Sequence, residues 1–384
     1  MSARAVTFHR RGVVEGFFGP PWSTARRLAL FKLGAGEGMN TYLYAPKDDP
    51  YHRERWDQPY PEPLWSALCK VIRAARHHGI DFVYGFHPGK NLCFSSAEPV
   101  RRLVRKAQRL YDKGVRTFAI LFDDIPSKLE LEQDRKAYRS SLARAEATWV
   151  CRVMDEASKR WPEVEWWFCP SLYTEDPLLA RMFGAFEEGF WETAARHLPE
   201  NVACFWTGPL VVPKTVTLAH ARSVFRRLRR PLILWDNYPV NDLSMSRELH
   251  LGPLMARDPR LPEVVYGYLN NPMLQPTLSL LPLATCFDYA ADPRRYRPEK
   301  SWERAVSEQF GTSALGHWKA IRQFCEGSSR GRSGGRVRSQ RERRLSDARR
   351  YVEKHRAQPW FRELRPWHEQ IVKSLELDPR QGMS

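Results

Sequence analysis

Short apolar runs, each closed by a turn or polar residue, recur along the chain at Val13–Phe18, Thr41–Tyr44, Phe82–Phe86, Thr117–Phe122, Val164–Cys169, Val202–Trp206, Leu232–Trp235 and Val264–Leu269. Runs this short and this apolar read as strands buried on both faces, the pattern of a parallel sheet. Between most of them apolar positions return at helical spacing, as in Leu64, Leu68, Val71, Ile72 and Ala75, or Leu103, Ala107 and Leu110. Strand and helix therefore alternate, and the count and length predict an α/β fold of the (β/α)8 barrel type. An open doubly wound sheet would carry a Gly-x-Gly-x-x-Gly turn after a strand, and no run here is followed by one.

From Arg295 onward the strand pattern stops. Helical periodicity resumes at Trp302–Phe310, Ala314–Cys325 and Arg341–His355, with Pro359 and Pro366 expected to bound the last helices. The expected organisation is a barrel over residues 1–294 followed by a helical C-terminal domain over 295–384. Residues 327–345 hold Arg330, Arg332, Arg336, Arg338, Arg341, Arg343 and Arg344 against Glu342 among Gly and Ser, and read as a flexible basic loop. Trp302, Trp318, Trp360 and Trp367 exceed what a small helical appendage needs for its own core. Two uses fit them equally well, packing onto the barrel or forming a homodimer interface.

The 42% apolar content supports a large core, and no apolar run nears the roughly 18 residues that span a membrane. Residues 1–11 carry Arg4, Arg10 and Arg11 without an apolar stretch, so no secretory signal is read and the cytoplasm is the expected compartment. The 7 cysteines are scattered with no Cys-x-x-Cys pair, as buried reduced thiols would be; neither a metal nor a cofactor is expected. A net charge of +17 admits a polyanionic partner, but the excess gathers in the Arg-rich tract, where a solvated insertion is the simpler reading than nucleic-acid binding.

The run Thr117–Phe122 leads straight into Asp123-Asp124. Adjacent acids repel, so a neighbour must stabilise one of them. Strand side chains alternate in direction, and both acids reach one pocket only if the chain leaves strand geometry there. The carboxyl ends of parallel strands are where α/β proteins place their chemistry, although a capping pair at the surface would look the same in these two residues. The other run ends carry Gly16 with its aromatic neighbours, Lys47, Tyr173, Trp235-Asp236-Asn237, Asp242 and Asn270-Asn271. Each has an ordinary structural reading alone. Together on one rim they make a carbohydrate site: aromatic faces pack on a sugar, Asp and Asn bond vicinal hydroxyls, and acids cleave the glycosidic bond.

Several of these strings also resemble a known family in consistent order over roughly residues 12–290. They are Gly16-Phe17-Phe18-Gly19-x-Pro21-Trp22, Met39 to Asp49, Leu121-Phe122-Asp123-Asp124-Ile125, Trp206-Thr207-Gly208-Pro209, Trp235-Asp236-Asn237 and Asn271-Pro272, and they look like glycoside hydrolase family 84, which includes the protein O-GlcNAcases. The resemblance implies a retaining β-N-acetylglucosaminidase that uses the substrate acetamide as nucleophile, through an oxazoline. In that scheme Asp123 takes the acetamide N–H and Asp124 is the general acid and later the base. Asp242 would hold the 4- and 6-hydroxyls, Asn271 and Lys47 the 3- and 4-hydroxyl region, and the Gly16 carbonyl the 3-hydroxyl. Asn237 would bond the acetamide carbonyl or orient Asp123, while Tyr173 and Trp235 enclose the methyl. Leu243 and Phe18 stand where the family often has Tyr, and the acetyltransferase-like domain of the animal members is not expected here. The implied partner is a GlcNAc-bearing protein, with free glycans or hyaluronan-like chains as the alternative. A non-catalytic binding barrel would be expected to have lost one of the paired acids, and both are present.

Overall fold

The computed structural model describes residues 7–89, 92–326 and 335–376. Eight parallel strands close into a barrel in sequence order: β1 Arg10–Glu15, β2 Thr41–Tyr44, β3 Asp81–Phe86, β4 Thr117–Leu121, β5 Glu165–Cys169, β6 Ala203–Trp206, β7 Leu232–Asp236 and β8 Val265–Asn270. β8 pairs with β1, Gly12 lying opposite Leu269. Period-2 alternation divides the apolar side chains into two cores. On β4, Ala119 and Leu121 face the barrel interior with Val14, Leu43, Val83, Trp167, Ile233 and Leu269. Phe118 and Ile120 face the surrounding helices, among them Glu62–His77 and Glu98–Tyr111.

The first strand departs from the expected Val13–Phe18. It begins at Arg10 because that charge is neutralised: Arg10 bonds Asp81 at 2.8 Å and also reaches Glu165, at the starts of β3 and β5. It stops at Glu15, so Gly16, Phe17 and Phe18 belong to the loop at the carboxyl end of the barrel. Glu15 itself is buried and takes two bonds from Arg27, at 2.7 and 2.8 Å. A buried carboxylate is tolerable only when paired in this way.

The C-terminal helices Pro298–Phe310, Leu315–Cys325, Gly335–Lys354 and Pro359–Glu376 pack on the last barrel helix, Pro276–Ala291, and on the loop after β7. Trp302 and Trp318 are 0% exposed and Trp360 and Trp367 6%, so all four fill this core, the first of the two uses expected for them. Two other expectations change here. The Arg-rich tract is helical from Gly335, where arginine and other good helix formers dominate; residues 327–334 lie outside the described residues. Pro359 opens the last helix, as its fixed φ favours, but Pro366 lies within that helix and costs it one backbone hydrogen bond. The cysteines are all unpaired, and among the described residues no helix is long and apolar enough to cross a membrane.

Candidate active site

The inward-facing row of β4 ends in Asp123, two positions beyond Leu121. Strict alternation would turn Asp124 outward. Asp124 instead adopts φ 59°, a left-handed conformation that a residue with a Cβ takes only at a cost, and this turns its carboxyl to the same side. Lys47, from the loop after β2 and 3% exposed, binds both: its ammonium is bonded to Asp123 Oδ2 and lies 3.9 Å from Asp124 Oδ2. The Tyr173 hydroxyl, after β5, donates to Asp124 Oδ1 at 2.9 Å.

The two acids are thereby driven apart. Burial opposes ionisation of Asp123, but Lys47, with Arg53 adding to it, outweighs it and holds that carboxyl well below the usual carboxylate range. For Asp124 burial prevails over Lys47, and the charge of Asp123 adds to it, so this carboxyl is raised. Opposed shifts of this kind suit one acid to the role of ionised base and its neighbour to that of proton donor. Asp123 Oδ1 is buried and has no hydrogen-bond partner among the described residues.

A second group forms the adjoining wall. Trp235 packs so closely on Gly16 that a Cβ there would stand 2.1 Å from the indole. The indole N–H donates to Asn237 Oδ1 at 3.1 Å; Asn271 Nδ2 donates to the same oxygen at 3.0 Å, and Asn271 Oδ1 accepts from Gly16 N at 3.2 Å. Asn237 Nδ2 donates to the Val211 carbonyl at 2.7 Å. Its bonds thus run to the wall and not to Asp123. Asp242, raised by burial, accepts from Phe18 N at 2.7 Å. Lys47 Nζ joins the two groups, 5.7 Å from the Trp235 ring and 5.8 Å from that of Phe18.

All nine residues to which the resemblance gives a role therefore gather at the carboxyl end of the barrel. Their supports were not evident from the sequence. Arg27 anchors Glu15, and Arg257 makes a two-bond pair with Asp236 at 2.6 and 2.8 Å while Tyr268 donates to the same carboxylate at 2.7 Å. An arginine in a charged helix or loop gives no sign that it is buried. His87 had one signal, since it follows β3 directly, at a position where the other strands place site residues.

Among the described residues no group of three or more His, Cys, Asp and Glu is placed to hold a metal ion. The arrangement is that of an acid–base site lined with aromatics and amides. Residues 11–326 match the family model described as beta-N-acetylglucosaminidase. The chain is 34% identical over 267 residues to the Protein O-GlcNAcase of Rattus norvegicus, covering 68% of this chain and 28% of that protein. The Mus musculus protein of the same name is 34% identical over 261 residues, with the same coverage. The chain thus spans under a third of the length of these curated relatives. A mutant Thermobaculum terrenum O-GlcNAc hydrolase, known as a solved structure, superposes with a TM-score of 0.85 at 33% identity, over 96% of this chain and 82% of that one. With that match over most of its length, the chain belongs to the β-N-acetylglucosaminidase family, glycoside hydrolase family 84.

Proposed function

We propose that the chain removes terminal β-linked N-acetylglucosamine, with protein-bound sugar on Ser or Thr as its substrate, and does so with retention through attack by the substrate's own acetamide. One observation carries this reading: the ionised Asp123 offers a buried oxygen, Oδ1, with no partner among the described residues, beside an acid whose carboxyl is raised by burial. A buried acceptor of this kind is costly unless something donates to it, and the acetamide N–H is the donor the reaction supplies. Glycosidases whose two acids flank the bond need them about 5 Å or more apart on opposite faces. Here both acids come from consecutive positions of one chain and share one ammonium.

In the first step the acetamide oxygen bonds to the anomeric carbon as the glycosidic bond breaks, and Asp124 gives its proton to the departing oxygen. Asp123 accepts the N–H and balances the positive charge that grows on the acetamide, giving the oxazoline. Water then attacks the same carbon from the side the aglycone left, Asp124 takes its proton, and the ring opens to the β-sugar. Asp242, Asn271, Lys47 and Gly16 would hold the hydroxyls. Tyr173 and Trp235 would close around the acetamide methyl.

Two inversions leave the configuration unchanged, so the first-formed sugar from an aryl β-N-acetylglucosaminide is expected to be the β-anomer in a proton NMR time course. First appearance of the α-anomer contradicts the reading. The acceptor is checked separately, by release of sugar from a Ser-linked glycopeptide against a hyaluronan-type oligosaccharide. Release from the oligosaccharide alone excludes the protein substrate.

Gly16→Ala tests the wall. The new methyl cannot be accommodated without moving an indole already tied to Asn237, at a cost of about 1–3 kcal/mol in stability. Displacement of Trp235 and Asn271 by about 1 Å is expected to lower kcat/KM by about 10²-fold. Thermal melting and steady-state rates measure the two effects.

A further inference from the structure

The end of β3 carries a residue to which the reaction above gives no part. His87 is 1% exposed, and its Nε2 lies 2.6 Å from the main-chain carbonyl oxygen of Asp123. A carbonyl only accepts, so Nε2 bears the proton and Nδ1 does not. The same Nε2 is 3.9 Å from Asp123 Oδ1, beyond hydrogen-bond reach. Burial lowers the imidazole to about 4, with Lys47 and Arg53 adding to the effect and Asp123 opposing it, so near neutral pH the ring has one N–H to give. His52, 6.0 Å away ring to ring and bonded through Nδ1 to the Gly85 carbonyl at 2.9 Å, is kept neutral by burial as well.

The carbonyl that His87 holds belongs to the peptide unit joining Asp123 to Asp124, and Asp124 is the residue in the left-handed conformation. Rotation of that peptide would swing one carboxyl relative to the other and release the strain. We propose that His87 is a positioning residue: its Nε2–H pins the Asp123–Asp124 peptide so that both carboxyls stay on one side, and by committing its single proton to the main chain it leaves Asp123 Oδ1 free for the substrate. This inference rests on the function proposed above and deepens it.

The test compares His87→Gln with His87→Met. The two side chains are similar in length and flexibility, but only glutamine can place an N–H near the Nε2 position. On an aryl β-N-acetylglucosaminide the methionine variant is expected to lose about tenfold or more in kcat with KM within about threefold, since a misaligned acid–base pair weakens the transition state more than sugar binding. The glutamine variant should recover most of that loss. Equal kcat for the two variants, or a loss confined to KM, overturns the positioning role even where the wild type is active. An inactive wild type would instead overturn the functional reading, and ¹⁵N NMR of the imidazole then tests the geometry by itself. A neutral Nε2–H tautomer at pH 6 supports the inference, and an Nδ1–H tautomer or a doubly protonated ring contradicts it. The NMR measurement also serves if the methionine variant does not fold.

Discussion

Replacing Asp124 by alanine is expected to leave hydrolysis of a dinitrophenyl β-N-acetylglucosaminide within about tenfold of the wild type while slowing the methyl glycoside by about 10³-fold or more. The dinitrophenolate departs without a proton; methoxide does not. Asp124 fits the role of acid because burial, with the charge of Asp123, raises its carboxyl against the pull of Lys47. Activity that needs this proton falls as pH rises through the raised pKa. The alkaline limb of kcat/KM should therefore lie above the ordinary carboxylate range in the wild type and vanish in Asp124→Ala. Equal losses on both glycosides would remove Asp124 from proton transfer.

Asp123→Asn is expected to cost about 10²–10⁴-fold on both glycosides alike, because the charge it balances develops on the acetamide whatever the leaving group. A carboxylate held below its usual range is ionised throughout neutral pH, so the acid limb from Asp123 appears only as pH falls below that range. The substitution has a second consequence. It removes a negative charge that raises Asp124 and leaves Lys47, 3.9 Å away, to lower it. The alkaline limb should then move to lower pH. Removing one partner of a buried ion pair also costs about 3–5 kcal/mol, visible in the denaturant midpoint. A loss that grows with leaving-group basicity, or an unmoved alkaline limb, would contradict the division of roles.

The barrel was legible because eight apolar runs stand apart in the sequence and each buries both faces. β1 was placed late because its opening charge is tolerated through Asp81 and Glu165, partners far along the chain that no local period reveals. The site was legible in the same way, as polar and aromatic residues following strand ends. What stayed hidden depended on three-dimensional neighbours: the left-handed turn at Asp124, Lys47 between the acids, the buried Arg27 and Arg257, and the proton of His87. The C-terminal tryptophans show the same limit. Composition marked them as too many for a small appendage, but only packing shows that the loop after β7, through Leu249 and Leu251, and the helix Pro276–Ala291 supply the rest of their core.

The central claim is that the sugar's acetamide, and no enzyme carboxylate, attacks the anomeric carbon. Aryl glycosides bearing acetamido, fluoroacetamido, difluoroacetamido and trifluoroacetamido groups at the 2-position test it directly. Each fluorine withdraws electron density from the attacking oxygen without changing the leaving group. The account predicts that kcat falls steeply with every fluorine added. A flat series, or a covalent glycosyl ester trapped on Asp123 or Asp124, would contradict it.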